Sequence, residues 1–170
     1  LEDDHWSAFE LGDRDIRFGR AVEGGANADT LSGRAVFGQG GNDRVSGTTA
    51  NDLLHGGRGQ DVLTAGAGGD RLYGAEDADR LVAGAGGTLN GGHGNDVFVF
   101  AAGQTARIGD FQNDRDLIRI DAAGISGLSA DAITAGATER DGGVDLVIAG
   151  GMLRIDGITV AELRDDLIIA

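Results

Sequence analysis

Asp43, Asp52, Asp61, Asp70 and Asp79 stand nine residues apart without exception, and these carboxylates are the groups in the chain best placed to do chemistry. Ionised carboxylates at a fixed interval offer hard oxygen donors, which suit a divalent cation better than they suit one another. Two residues after each Asp comes an apolar residue: Val45, Leu54, Leu63, Leu72 and Leu81. Glycines cluster just before each Asp, most clearly in Gly56-Gly57-Arg58-Gly59-Gln60-Asp61-Val62-Leu63-Thr64 and Gly91-Gly92-His93-Gly94-Asn95-Asp96-Val97-Phe98-Val99. The array opens at Gly24-Gly25-Ala26-Asn27-Ala28-Asp29-Thr30-Leu31-Ser32. A five-residue offset containing Ala35-Val36-Phe37 then precedes the Gly38 repeat, as a bulge or an extra half-coil. Near the other end Leu89 keeps the apolar register after one lost residue, but Gly87 stands where an Asp is due, so a metal site there is expected to be weak or missing.

A nine-residue period is too short for a helical hairpin; a Gly-rich piece with an Asp, followed by a short apolar-centred piece, reads as turn then strand. Two such units make one coil of 18 residues. Successive apolar residues then point inward from opposite sheets, and glycine permits the left-handed angles of the turns. The expected result is an all-β solenoid of about four coils. Stacking brings Asp43, Asp61 and Asp79 into one column at a spacing of about 4.8 Å, with Asp52 and Asp70 on the opposite edge. Such columns repel unless a cation lies between the turns, and calcium, with its 6–8 oxygen ligands and flexible geometry, fits better than octahedral magnesium. The plainer reading is that each Asp caps its own turn by accepting local backbone N–H groups. That explains one turn well, but not a column.

The pattern Gly-Gly-x-Gly-x-Asp-x-apolar-x, over residues 24–99, resembles the repeats-in-toxin (RTX, hemolysin-type) nonapeptide. The resemblance implies a right-handed parallel β-roll that binds several calcium ions between coils. Its side-chain ligands would be Asp29, Asp43, Asp52, Asp61, Asp70, Asp79 and Asp96, completed by carbonyls of Gly57, Gly59, Gly66, Gly68, Gly92 and Gly94. Gly47-Thr48-Thr49-Ala50-Asn51-Asp52 and Gly74-Ala75-Glu76-Asp77-Ala78-Asp79 lack the full glycine set, which puts their sites in doubt.

Residues 100–170 are expected to form a C-terminal β-rich cap, because Val97-Phe98-Val99-Phe100 is too apolar for one more coil and a solenoid needs its open end closed. Ile108-Gly109-Asp110-Phe111 through Asp116-Leu117-Ile118 is similar to the segment that follows the repeats in serralysin-type metalloproteases. It implies one further calcium on Asp110 and Asp116, with a surface turn as the alternative. Val144–Ile148 and Met152–Ile155 read as a hairpin turned by Gly150-Gly151. Asp165-Asp166-Leu167-Ile168-Ile169-Ala170 resembles the ending read by type I exporters; it also reads as a last core strand preceded by exposed charge. Residues 1–23, with Trp6, Phe9, Leu11, Ile16 and Phe18, are either an N-terminal cap or a linker from an upstream domain.

Composition narrows the partners. Twenty of the 32 glycines lie between Gly24 and Gly94, an entropy cost that folding must offset. There is no Cys, Pro or Lys, so disulfides are excluded, and a net charge of −14 disfavours nucleic acid and anionic lipid. No apolar run reaches the ~18 residues of a transmembrane helix. A start at Leu1 without Met or a signal peptide is expected for a piece of a larger protein, and processing explains it equally. His5, His55 and His93 form no zinc pair, and no hydrolase or P-loop motif is present, so no enzyme site is expected within the chain. Arg44 and Arg80 are expected across the roll from Arg71, which argues against a polyanion stripe.

Together these readings predict a module that is disordered without calcium and folds on binding it outside the cell, in support of an upstream secreted effector. Two other readings stay open: a carbohydrate- or surface-binding accessory of a polysaccharide-modifying enzyme or adhesin, and the trailing part of a secreted protease or lipase.

Overall fold

The computed structural model describes residues 21–123, 125 and 128–170; His5 and the residues Trp6, Phe9, Leu11, Ile16 and Phe18, read as part of a cap or of a linker, lie outside them. Apolar residues at an 18-residue interval wind the chain into two facing parallel sheets. One contains β1 (Val22–Glu23), β3 (Ala35–Gly40), β5 (Leu53–Arg58), β7 (Asp70–Glu76), β9 (Gly87–His93), β11 (Ala106–Ile108) and β15 (Gly151–Asp156). The other contains β2 (Thr30–Ser32), β4 (Arg44–Ser46), β6 (Val62–Thr64), β8 (Arg80–Val82), β10 (Val97–Ala101), β12 (Leu117–Asp121) and β16 (Leu167–Ile169).

Each rung contributes one inward residue in register with its neighbours. Val36, Leu54, Leu72, Leu89, Ile108 and Ile155 form one ladder. Leu31, Val45, Leu63, Leu81, Phe98, Ile118 and Leu167 form the other. The repeat residues Val45, Leu54, Leu63, Leu72 and Leu81 are all fully buried, so the core is a double file of aliphatic side chains.

The parallel stack extends further than the nonapeptide period alone predicts. Val97–Ala101 is not too apolar for a coil: it pairs in parallel with both β8 and β12, and Phe98, Val99 and Phe100 are buried. The offset after Asp29 is a shortened coil, in which Gly33 and Arg34 replace a six-residue turn and carry the chain straight from β2 into β3.

The expected hairpin is β14 (Gly143–Ile148) against β15, but its two-residue turn is Ala149-Gly150, with φ of 49° and 86°, while Gly151 already pairs with Ile148. Both central residues are left-handed, as a type I′ turn requires. An edge strand, β13 (Thr138–Arg140), extends this end of the sheet.

Two short helices complete the cap. In α1 (Ala130–Ala135) the Ser129 hydroxyl accepts the Ala132 N–H, and Ile133 packs into the core between β14 and β16. In α2 (Val160–Leu163), Thr159 and Glu162 form a capping box, and a 3-10 turn (Arg164–Asp166) leads into β16. The Thr-x-x-Glu spacing was a readable signal for α2. The last strand is a core strand, as one reading of the C-terminus has it, but the charge before it is not all exposed: Asp166 is buried. No helix among the described residues is long and apolar enough to cross a membrane.

Because Leu63 sits in its ladder between Val45 and Leu81 and is fully buried, Leu63→Ala should leave a cavity and cost about 2–5 kcal/mol. Ile168→Ala, at a side chain 42% exposed, should change stability by less than about 0.5 kcal/mol. Urea unfolding of both variants in calcium checks the contrast; equal losses would contradict the assigned core.

Candidate metal centre

The turns leading from the first sheet to the second place Asp29, Asp43, Asp61, Asp79, Asp96 and Asp116 in one column. The backbone N–H of each donates to Oδ1 of the next, at 2.8, 2.7, 2.8, 2.9 and 3.0 Å along the series. On the opposite edge Asp52 N–H donates to Asp70 Oδ1 at 2.9 Å. Of these residues only Asp29 is not fully buried.

The second carboxylate oxygen divides the set. Oδ2 of Asp43, Asp61, Asp70, Asp79 and Asp96 is buried and has no hydrogen-bond donor. Oδ2 of Asp29, Asp52 and Asp116 accepts the N–H of Gly25, Thr48 and Gln112, each four residues back, which is local turn capping. Thr48 adds its hydroxyl to Asp52 at 3.0 Å. Local capping therefore accounts for Asp29, Asp52 and Asp116 but leaves an oxygen unaccounted for at Asp43, Asp61, Asp70, Asp79 and Asp96.

Beside the orphaned oxygens are backbone carbonyls. A Cβ on Gly38 would overlap both Asp43 Oδ2 and the Gly56 carbonyl; one on Gly56 would meet Asp61 Oδ2 and the Gly74 carbonyl; one on Gly74 would meet Asp79 Oδ2 and the Gly91 carbonyl. Each of these small spaces is bordered by a carboxylate oxygen and a carbonyl oxygen, a hard, donor-free lining that fits calcium. Among the described residues no three acidic or histidine side chains converge, so a metal held here would need carbonyls among its ligands. The first-position carbonyls of Gly56, Gly74 and Gly91 were not singled out from the sequence, because the repeat pattern does not show which amide plane faces the column. Gly57, Gly59, Gly66, Gly68, Gly92 and Gly94 all adopt positive φ and so shape the turns; the Gly92 carbonyl accepts from Gln112 Nε2.

The second column is short. Arg34 holds the register position one coil before Asp52: its carbonyl accepts the Leu53 N–H as that of Asp52 accepts the Arg71 N–H, both at 2.8 Å. Its Nε lies 4.0 Å from Asp52 Oδ1. At the other end Asp70 faces Gly87, as the lost residue predicts. Asp110 accepts Gly91 and Gly92 N–H groups, both at 2.9 Å, and lies close enough to Asp96 and Asp116 to raise both. Arg71 is exposed on the first sheet and Arg44 on the second, as expected, and His55 lies in β5 between Phe37 and Tyr73, where burial lowers its pKa.

Residues 37–72, 55–87 and 88–104 match the family model of the RTX calcium-binding nonapeptide repeat. Residues 37–104 thus carry RTX calcium-binding repeats. Its structure is similar to the R2 subunit of AlgE6, a mannuronan C5-epimerase of Azotobacter vinelandii, at 27% identity over 74% of this chain and 91% of that one, with a TM-score of 0.55. The R3 subunit of the same enzyme aligns at 27% identity over 89% and 86% of the two chains, with a TM-score of 0.48. The extracellular lipase LipA of Serratia marcescens aligns at 14% identity over 90% of this chain and 40% of its own, with a TM-score of 0.43. Among curated protein sequences none matches this chain.

Burial pushes the RTX carboxylates up, opposed by the N–H each accepts and reinforced by its acidic neighbours: Asp61 and Asp96 to about 6, Asp79 to about 8, with Asp43 and Asp70 raised as well. Carboxyls raised in the fold favour it below their unfolded pKa, and that contribution disappears as pH rises through the folded values. Without metal, the β content of the chain should therefore fall as pH rises from about 4, through about 6 for Asp61 and Asp96 and about 8 for Asp79, and level off above that. Far-UV circular dichroism of decalcified protein tests this; a signal that holds or grows with pH would contradict it.

Proposed function

We propose that the chain is a calcium-triggered folding module, without an active site of its own, that folds outside the cell and supports the secretion, folding and stability of an upstream effector. The observation that carries this reading is the set of five buried carboxylate oxygens without a donor. A carboxylate buried without a partner costs several kcal/mol, so the ionised, metal-free roll opposes itself. The side chains of Asp43, Asp61, Asp79 and Asp96, with the Gly56, Gly74 and Gly91 carbonyls, would hold calcium on the longer column, and Asp70 would do so on the shorter. Bound calcium supplies the positive charge that turns stacked carboxylates from repulsive to attractive.

Export fits the same chemistry. Cytosol poor in free calcium leaves such a chain unfolded and threadable, and calcium outside shifts it to the fold by mass action. The exporter-like ending supports the order of events, since Asp166 and Leu167 are buried once folded and are readable only before.

Calcium should produce a cooperative gain of β signal in the metal-free chain at pH 7.5 where magnesium does not. Asp61→Ala should raise the calcium midpoint several-fold. A folded spectrum in chelator, indifferent to calcium, would sink the switch.

A second reading draws on the outer face of the first sheet, where Phe37, His55 and Tyr73 stack across three rungs at centroid separations of 6.1 and 6.2 Å. Arg71 is exposed one position from Leu72 on the same face as Tyr73. Aromatic rings beside a cation suit a sugar acid, and AlgE6 is a mannuronan epimerase. On this reading calcium-loaded protein binds polymannuronate, and Tyr73→Ala weakens binding about tenfold or more without moving the calcium midpoint. Equal retention of both proteins on immobilised polymannuronate would dismiss it.

A further inference from the structure

Outside the two columns, two more side-chain oxygens are buried with no hydrogen-bond donor: Asn113 Oδ1, in the loop before β12, and Asp166 Oδ2, in the 3-10 turn before β16. Both residues engage Asp114. Asn113 Nδ2 donates to Asp114 Oδ2 at 3.1 Å, and the Asp114 backbone N–H donates to the Asp166 carboxyl. The side chains nearest in charge to Asp166 are Asp114 and Asp165, both acidic, yet Asp166 keeps only 6% of its surface exposed. A buried carboxylate with acidic neighbours, one oxygen free of any donor and an amide oxygen in the same condition two hydrogen bonds away offers hard donors that a cation would satisfy.

We propose that Asn113, Asp114 and Asp166 form a separate calcium site that fastens the last strand to the roll. An amide oxygen and two carboxylates are hard donors of the kind calcium takes, and residues 52 apart in sequence meet there. The left-handed backbone of Asp114, φ 62°, turns its N–H toward Asp166 while its side chain stays exposed. The site closes the loop between residues 114 and 166, which contains the whole hairpin cap. It therefore contributes to holding β16 against β12, where Ala170 N–H donates to Ile120 O at 3.0 Å. The nonapeptide period does not reach this site.

The test counts calcium bound to the full chain by equilibrium dialysis and atomic absorption. Asp114→Gly removes the exposed carboxylate and keeps the positive φ, and Asp166→Asn removes the buried charge. Each should bind one ion fewer than the parent. In saturating calcium the Ala170 amide of Asp114→Gly should exchange about tenfold faster. Unchanged stoichiometry in both variants overturns the site, and so does a loss confined to Asp166→Asn, which would mark Asp166 as a packing group. The array is scored separately with Asp61→Asn. A parent that binds a single ion, lost in Asp114→Gly, would sink the array reading and leave this site standing.

Discussion

Asp43, Asp61, Asp79 and Asp96 of the longer column each accept at one oxygen the backbone N–H of the Asp one coil earlier and turn the other toward a glycine where no donor exists. The hydrogen bond fixes the stacking register, because moving the chain by one residue takes the carboxylate out of reach of that N–H. The free oxygen fixes the residue beneath it, since any side chain on Gly38, Gly56 or Gly74 would occupy the same space. One interaction thus sets the coil length and the position of the first glycine, and leaves a charge that the roll cannot neutralise by itself. Rungs β4 to β9 each contribute a single large inward residue, and the glycine-rich turns lose much entropy on ordering.

The two edges of the roll resolve this constraint differently. The longer column carries six Asp residues, with local N–H capping at its ends, Asp29 and Asp116, and orphaned oxygens at the four between. Among the described residues β2, which Asp29 precedes, has a neighbouring strand on one side only, and there a local backbone N–H stands where another coil's donors would. On the shorter column Arg34 stands in register before Asp52, and Thr48 supplies both an N–H and a hydroxyl to the same carboxylate. Asp52 is therefore held by protein donors, and Asp70 alone keeps an orphaned oxygen. A turn that lost its second glycine to Thr48 has gained a side chain that does locally what a cation does between coils.

Much of this was legible in the residues. The 18-residue interval predicted the inward ladders, the two Asp columns and the gap at Gly87, because period and stereochemistry leave few other windings. The rungs after Ala101 were less readable. Ile108 follows Leu89 by 19 residues and Ile118 follows Phe98 by 20, so the period drifts while the register of the sheets holds. Leu167 joins the same ladder only after the hairpin and two helices intervene. Arg34 gave no signal, since its role depends on the shortened coil beneath it. The pairing of Asp114 with Asp166 is set by how the cap folds back, which no local pattern encodes.

Where the apolar mass lies bears on how such a chain reaches this structure. At the N-terminal end of the described roll Val22 and Leu31 are only half-buried, whereas Ile118, Ile120, Val144, Leu146, Ile155 and Leu163 are fully covered at the other. That end also carries antiparallel pairing across a two-residue turn, the contact with the shortest loop to close. It is further tied by Arg107 and Arg154 to Asp156 and by Arg140 and Arg154 to Asp145, none of which involves the Asp columns. The cap thus has contacts that do not depend on the Asp columns, and it presents a finished rung, β12 with Asp116, to the coil before it. If calcium drives folding as proposed, each further coil would add a carboxylate and a set of carbonyls to an edge already in place and be stabilised by the ion held there. On that reading the roll would grow from its C-terminal end toward its N-terminal end, its stability rising with the number of coils that calcium has reached.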